Sequence, residues 1–209
     1  MAQIISADHP DCVHLAVSLL AQGELVCYPT DTVYGLGVAA ENDAAVRRLF
    51  AVKGRPLDRP VPLLISDEAA AVRLAQVTPI ARTLMRRFWP GALTIVMLKA
   101  PEFRSVALAR QDHIALRVPD LASLREIIRA LGQPITGTSA NRSGARSPRS
   151  AAEAALQLGD MVALIIDGGP TRSGVQSTVI DITSDSPRIL RPGAVSREEI
   201  AAALGRDIQ

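Results

Sequence analysis

The stretch Tyr28-Pro29-Thr30-Asp31-Thr32-Val33-Tyr34-Gly35-Leu36-Gly37 carries the clearest information on the fold. The apolar residues 25–28 predict a short buried strand that ends at Pro29. Hydroxyls and one carboxylate then precede two glycines, which let the backbone approach a ligand closely. The side chains of Thr30 and Asp31 could instead satisfy amides of their own turn, so both interpretations stay open at this point.

Helices and short apolar strands alternate on either side of this stretch. Helices are predicted at 11–22, at 43–52 and, after Thr78 and Pro79, up to about residue 88. Further strands are predicted at 61–65, 92–98, 114–118, 135–138, 161–167 and 177–182. Capping boxes are predicted at Ser123/Glu126, Ser150/Glu153 and Ser196/Glu199. This order predicts one α/β domain over residues 1–209, with helices packed on a twisted sheet of undetermined strand order.

Composition excludes several classes of protein. The chain has 209 residues, with 23 basic and 21 acidic side chains, a balance too even for a protein that lives on duplex DNA. Aromatic residues make up 3%, which argues against a base-stacking platform. Cys12 and Cys27 are expected to be free, buried thiols. Because no signal segment and no apolar run of about 20 residues is present, a cytoplasmic protein is expected.

A cluster of cations follows the second predicted helix. It consists of Lys53-Gly54-Arg55-Pro56 and, four residues beyond Arg55, Arg59. Cations that converge from a rigid loop suit a triphosphate, although Lys53 alone could simply answer the helix dipole. The spacing is not that of a Walker loop.

Two polar loops are candidate ligand-binding segments. Residues 137–144, followed by Ser147-Pro148, leave a buried strand with small hydroxyl residues and Asn141. Ligands of α/β proteins often bind at such strand ends, but an ordinary serine-rich turn has the same composition. Residues 168–174 are predicted to form a mobile lid, because they combine glycines with Arg172 and Ser173.

Two arginines occupy apolar segments and therefore need partners. Arg117 lies inside a predicted strand, and an unpaired buried cation there would be very costly. Asp120, Asp112 or a ligand carboxylate could serve, and the same reasoning applies to Arg191. No metal site is expected, because His9, Cys12 and His14 have poor zinc spacing.

Taken together, these segments resemble the YrdC-like L-threonylcarbamoyladenylate synthases in an order that covers nearly the whole chain. The matching motifs are residues 29–37, Lys53-Gly54-Arg55-Pro56, Trp89-Pro90-Gly91-Ala92-Leu93-Thr94, Leu116-Arg117-Val118-Pro119, residues 138–144, Ser177-Thr178-Val179-Ile180-Asp181 and Leu190-Arg191-Pro192-Gly193. The resemblance implies a YrdC/RibB-like fold, an open twisted mixed sheet with helices around a deep basic cavity.

The resemblance also implies a reaction and its partners. L-threonine, bicarbonate and ATP would give threonylcarbamoyl-AMP and pyrophosphate, with Mg²⁺ expected to accompany ATP. A downstream transfer complex would then move the threonylcarbamoyl group to adenosine 37 of tRNA. Alternatives are a YrdC-like protein that binds double-stranded RNA, a carbamoyladenylate-forming relative, and a family member with a different substrate.

Site residues follow from the matched motifs only by this resemblance. Lys53, Arg55, Ser139 and Asn141 would be catalytic. The ATP-binding set would be Arg55, Arg59, His113, Ser139, Ser147 and Arg191. Threonine would contact Thr32, Arg117, Gly137 and Ser177.

The chain departs from some members in two respects. Some long members have a histidine in the strand matched here by Leu63 and Leu64, where an apolar wall for the threonine methyl is expected instead. The chain also ends at Gln209, soon after the Arg-Pro-Gly motif, which is the expectation for a short form without a C-terminal domain.

Overall fold

The structure is a computed structural model that describes residues 2–208. Its helices are α1 (Cys12–Ala21), α2 (Asp43–Lys53), α3 (Glu68–Leu74), α4 (Pro79–Phe88), α5 (Ala122–Leu131), α6 (Ala151–Leu158) and α7 (Arg197–Leu204). Its strands are β1 (Gln3–Ser6), β2 (Val26–Tyr28), β3 (Gly35–Gly37), β4 (Leu63–Leu64), β5 (Leu93–Leu98), β6 (His113–Arg117), β7 (Ile135–Thr136), β8 (Thr138–Ser139), β9 (Leu164–Asp167), β10 (Thr178–Asp181) and β11 (Arg188–Arg191).

The strands form two mixed sheets. One has five strands in the order β1-β9-β2-β3-β8, and the other has six in the order β11-β10-β5-β6-β4-β7. The mixed α/β class is thus confirmed, while the strands divide between two sheets where a single sheet was predicted. Short β3 was not expected from the sequence, because its two glycines have low strand propensity. Strands β1 and β11 and helix α3 were also not predicted.

Alternation along β2 and β9 explains why β2 and residues 164–166 of β9 are apolar. Val26 and Tyr28 of β2 pack in a cluster with α1 and α5, while Cys27 between them packs in the larger core on the other face. The same division holds for Leu164 and Ile166 against Ile165. Because successive side chains of a strand point to opposite faces, both faces of the five-stranded sheet are covered.

The two sheets meet where the chain passes from β7 to β8 through Gly137. Ile135 forms an antiparallel bridge to Ala39, and the amide of Thr136 donates to the carbonyl oxygen of Val38 at 3.0 Å. The Gly137 amide donates to the Pro62 carbonyl at 2.7 Å. Consecutive residues of one short segment therefore join both sheets.

Helix starts confirm most of the capping predictions. Thr78 caps α4 with Pro79 in its first turn, and Ser196 forms a capping box with Glu199. Ser150 caps α6, but the Glu153 carboxylate bonds to the Arg149 amide, so that box is only half formed.

The capping box predicted at Ser123/Glu126 is wrong. Helix α5 starts at Ala122, so Ser123 already lies inside the helix, and Leu121 occupies the N-cap position without a side-chain hydrogen bond.

Two other expectations concern the thiols and the length of the helices. Cys12 and Cys27 are buried and free, as predicted, and burial raises the pKa of Cys27 to about 12. Within residues 2–208, no helix has the length and hydropathy needed to cross a membrane.

Candidate active site

A cavity of about 460 Å³ opens at the junction of the two sheets. Its walls come from the ends of β2 and β6, from β8, from the C-terminal end of α2, and from the residues around β4 and before β10. Most of the predicted site residues line it, namely Thr32, Lys53, Arg55, Arg59, Arg117, Gly137, Ser139, Asn141, Ser177 and Arg191. The fold therefore brings together in one cavity the motifs that are far apart along the chain.

Lys53 lies at the end of α2 and points away from its own helix. Its side chain is 3% exposed, and Nζ donates to the carbonyl oxygens of Ser139 at 2.5 Å and Asn141 at 2.7 Å. Burial, with a smaller contribution from Arg55, lowers the pKa of Lys53 to about 8. Lys53 thus holds the β8 segment against α2. A role limited to the dipole of its own helix would not explain these two contacts.

Arg55 is held by its own loop. Gly54 ends α2 in the left-handed region, with φ of 61°, and turns the chain toward the cavity. Arg55 Nε donates to the Arg59 carbonyl at 2.9 Å, and Nη2 donates to the Pro60 carbonyl at 2.8 Å. Burial and then the Arg59 charge lower its pKa. The guanidinium is fixed by neutral acceptors and keeps its full charge.

Arg117 pairs with Asp31, so neither carboxylate suggested by sequence proximity is its partner. Arg117 Nη2 lies 2.6 Å from Asp31 Oδ1, Nη1 lies 3.0 Å from Thr32 Oγ1, and Nε lies 2.8 Å from the Gly91 carbonyl oxygen. The candidates Asp112 and Asp120 were wrong as side-chain partners, because the pairing is made across the two sheets. Asp120 contributes only its amide, which donates to Asp31 Oδ1 at 3.1 Å.

Arg191 extends from β11 to the start of β10. Its Nε and Nη2 donate to the Ser177 carbonyl at 3.2 and 2.8 Å, and Nη2 also lies 3.1 Å from Ser177 Oγ. Burial, followed by the Arg117 and Arg55 charges, lowers the pKa of Arg191. The guanidinium groups of these arginines therefore lie close enough to repel one another in the absence of an anion.

The segment from Gly137 to Asn141 forms another wall. A Cβ built on Gly137 would lie 2.9 Å from Leu64 Cδ2 and 3.4 Å from the Pro62 carbonyl oxygen, so a side chain there would displace the wall. Asn141 donates through Nδ2 to the carbonyls of Arg142 and Ala145, both at 2.8 Å. Its Oδ1 is buried without a hydrogen-bond partner, which leaves an acceptor available to a ligand donor.

Two of the predicted site residues lie outside the cavity lining. His113 begins β6 while Arg117 ends it, so about 13 Å of extended strand separates them. Ser147 accepts a hydrogen bond from Gln176 Nε2 at 2.7 Å, and Gln176 itself lines the cavity. Gln176, Val61 and Pro62 were missed by the sequence analysis, although Gln176 directly precedes the Ser177 motif.

The loop at residues 168–174 is tied to the Thr30–Thr32 turn. The Ser173 amide donates to the Asp31 carbonyl at 3.3 Å, and the Gly174 amide to the Thr32 carbonyl at 2.9 Å. Arg172 at its tip is 79% exposed and lies 3.6 Å from Asp120 Oδ2. The predicted lid is thus attached to the turn that holds Arg117.

The arrangement of charges in the cavity favours binding of a polyanion. Among the described cavity-lining residues there is no carboxylate, whereas Lys53, Arg55, Arg59, Arg117 and Arg191 supply cations. Across residues 2–208 no group of at least three His, Cys, Asp or Glu side chains could hold a metal ion. The cavity can therefore position and neutralise phosphates, which are the main requirements of phosphoryl and nucleotidyl transfer.

Comparison with known sequences agrees with this geometry. Residues 18–193 match the Sua5/YciO/YrdC family, whose description is telomere recombination. The chain is 43% identical to the threonylcarbamoyl-AMP synthase of Bacillus subtilis over 91% of this chain and 56% of that protein. It is 42% identical to a putative threonylcarbamoyl-AMP synthase of Mycobacterium tuberculosis H37Rv, over 92% of this chain and 88% of that protein.

Comparison of structures gives the same result. The Sua5 protein of Pyrococcus abyssi, in a crystal structure complexed with L-threonine, superposes with a TM-score of 0.93 and 38% identity, covering 100% of this chain and 62% of that one. The chain thus spans somewhat more than half the length of the Bacillus and Pyrococcus proteins. With its motifs gathered around one basic cavity and both sequence and fold matched over nearly all its length, the chain belongs to the Sua5/YciO/YrdC family.

Proposed function

We propose that the protein is an L-threonylcarbamoyladenylate synthase, which converts L-threonine, bicarbonate and ATP into threonylcarbamoyl-AMP and pyrophosphate. The observation that carries the proposal is the convergence of Arg55, Arg191 and Arg117 on one cavity. The curated relatives named threonylcarbamoyl-AMP synthase support it.

The proposed nucleotide subsite lies on the side of Lys53, Arg55, Arg59 and Arg191. Arg55 and Arg191 donate to neutral oxygens and keep their charge for phosphate. Arginine offers a planar fork of donors that suits phosphate oxygens. Ser139 and the free acceptor Asn141 Oδ1 complete the proposed catalytic set with Lys53 and Arg55.

The proposed threonine subsite lies around Arg117, Thr32, Gly137 and Ser177. A guanidinium carries five N–H donors, and Arg117 uses three of them within the protein. One donor therefore remains on each terminal nitrogen, enough for two bonds to a carboxylate. The L-threonine bound in the structure of the Pyrococcus Sua5 protein supports this assignment.

The proposed reaction needs positioning more than acid–base catalysis. The neutral amine of threonine first condenses with bicarbonate, forming a C–N bond and releasing one water molecule, to give the N-carbamate. This carbamate is unstable in water and requires a sheltered site. One oxygen of the carbamate then attacks the α-phosphorus of ATP, and the bond from that phosphorus to the bridging oxygen of pyrophosphate breaks. The cations would neutralise the charge that builds up on the phosphates.

The same proposal includes a metal ion, a downstream partner and a domain organisation. Mg²⁺ would enter with ATP and be held by its phosphates, since the described cavity lining offers no carboxylate ligand. The product would pass, in the cytoplasm, to a tRNA threonylcarbamoyl transfer complex. We also propose a single domain over residues 1–209, because one apolar cluster contains residues from Leu25 to Ile208.

The test is the fate of ATP in carbon-dioxide-depleted buffer. Pyrophosphate should appear only when threonine and bicarbonate are both added, and isotope from labelled bicarbonate should appear in the nucleotide product. Asp185→Ala, which removes an exposed carboxylate outside the cavity lining, serves as a control that should retain activity. Full pyrophosphate release without bicarbonate, or ADP as the main product, would overturn the proposal. Activity that requires carbamoyl phosphate would favour the carbamoyladenylate-forming alternative.

A further inference from the structure

The cavity arginines differ in the charge of their protein partners. Arg117 is 5% exposed and forms an ion pair with Asp31, whose side chain is 11% exposed. Arg55 and Arg191 bond instead to backbone carbonyls and the Ser177 hydroxyl. Within the described chain, Arg117 is therefore the cavity arginine whose charge is cancelled by a carboxylate.

Asp31 exerts this effect from behind the cavity wall. It does not line the cavity, and Oδ1 accepts from both Arg117 Nη2 and the Asp120 amide. The backbone amide fixes the carboxylate, and the carboxylate in turn fixes the guanidinium. Thr30 stiffens the same turn, because its hydroxyl accepts from the amides of Thr32 and Val33.

Neutralisation matters because the arginines are neighbours. Arg55, Arg117 and Arg191 line the same cavity, and the Arg117 and Arg55 charges lower the pKa of Arg191, so a polyphosphate bound by Arg55 and Arg191 is within electrostatic reach of Arg117. An unpaired cation at Arg117 would attract the same polyanion, since a desolvated guanidinium is costly without a counter-ion. A paired one retains donors for a carboxylate but offers a polyphosphate much less net charge.

We infer that Asp31 is a specificity-determining residue that acts through Arg117, cancelling its charge so that this end of the cavity accepts a single carboxylate and excludes polyphosphates. The inference rests on the proposed function for the identity of the carboxylate ligand, threonine. The charge of Asp31 would then explain why the polyphosphate of ATP and the carboxylate of threonine bind in one cavity without exchanging places.

The test compares Asp31→Asn with Asp31→Glu and Asp185→Asn. Asp31→Asn keeps an oxygen that can accept both hydrogen bonds but removes the charge. Isothermal titration of Asp31→Asn with pyrophosphate alone should show binding at least fivefold tighter than that of the parent. Pyrophosphate should also become a competitor of threonine. Asp31→Glu, which keeps the charge, and Asp185→Asn, which changes an exposed carboxylate between β10 and β11, should bind pyrophosphate as the parent does.

Each result bears on one of the two proposals. Pyrophosphate binding by Asp31→Asn that is unchanged or weaker than in the parent would overturn the inference. So would binding by Asp31→Glu that is as tight as binding by Asp31→Asn. If Asp31→Asn unfolds without ligand, saturating pyrophosphate, about 10 mM, should restore its circular dichroism, and failure to do so would also overturn the inference. A parent that makes no pyrophosphate from ATP would refute the proposed function alone, because the anion titration needs no turnover.

Discussion

The side-chain nitrogen of Lys53 lies 2.7 Å from the carbonyl oxygen of Asn141 and so connects the end of α2 to the loop after β8. The ammonium group is buried, and its pKa is lowered to about 8. This contact joins the cation motif to the serine–asparagine motif of the cavity. Its integrity therefore depends on a group that can lose its proton in mildly alkaline solution.

We expect activity to decline above about pH 8, because Lys53 then loses the positive charge that strengthens its bonds to both carbonyls and that would neutralise phosphate. Stability should change in the opposite direction. Between about 8 and the ordinary value of 10.5 the unfolded chain binds more protons at this lysine, so its contribution to the free energy of unfolding rises with pH. Urea unfolding of the parent and of Lys53→Met from pH 7 to 10 measures the difference. A difference that does not grow with pH would contradict the prediction.

Arg55→Ala should abolish most adenylate formation and leave the fold intact. Loss of a charge-assisted phosphate contact costs about 1.5–3 kcal/mol, or roughly 10- to 150-fold in kcat/KM for ATP. Arg55→Lys is the matched control and should recover only part of the activity, because an ammonium lacks the planar fork. A large fall in melting temperature and loss of circular dichroism in Arg55→Ala would instead assign this residue to the structure.

Leu64 should contribute to a modest preference for threonine over serine. It lines the cavity beside Gly137, and the one methyl that separates the two amino acids is worth about 1–3 kcal/mol in an apolar pocket. Leu64→Ala should lower the ratio of kcat/KM values for threonine and serine. Leu63→Ala, which changes the core on the opposite face, should lose stability but keep the ratio. Equal specificity constants in the parent would refute the prediction.

Gly193→Ala should damage the site through direct backbone overlap. A Cβ at position 193 would lie 2.4 Å from the Gln176 carbonyl oxygen and 2.5 Å from the Ser177 carbonyl carbon. We expect a loss of about 1–3 kcal/mol in unfolding free energy together with weaker ligand binding. Gly205→Ala is the control, because it has open space and only the strain of a φ of 64°, so it should lose stability without loss of activity.

Hydrogen exchange should slow across residues 168–174 when ATP and threonine are both bound. The amides of Ser173 and Gly174 bond to the carbonyls of Asp31 and Thr32, so ordering of Arg117 by a carboxylate should also stabilise these bonds. Mass spectrometry of the peptide that covers the loop measures the effect. Exchange that is equal with and without ligands would argue against a lid.

The sequence predicted local features well where their cause is local. Thr78 before Pro79, and Ser196 three residues before Glu199, mark helix starts through bonds that span one turn. Ser123 with Glu126 has the same spacing, but packing of α5 places the start of the helix at Ala122. A capping pattern thus identifies a helix more reliably than its first residue.

The candidate site could be predicted as a set of residues but not as a set of contacts. Arg117 was expected to need an anion, yet its partner Asp31 is 86 residues away, in the turn between β2 and β3 of the other sheet. Aspartates near Arg117 in sequence could not compete, because the side chain leaves the end of β6 toward the Thr30–Thr32 turn. Such pairings are set by tertiary structure, which local patterns do not encode.

The passage of the chain through Gly137 has a thermodynamic consequence. A ligand that touches both Ser139 of the five-stranded sheet and Leu64 of the six-stranded sheet acts as a non-covalent cross-link between the two halves of the core. Its binding energy then opposes separation of the sheets and with it global unfolding. By mass action, a ligand at 100 times its Kd would add about 2.7 kcal/mol to the stability of the entire molecule.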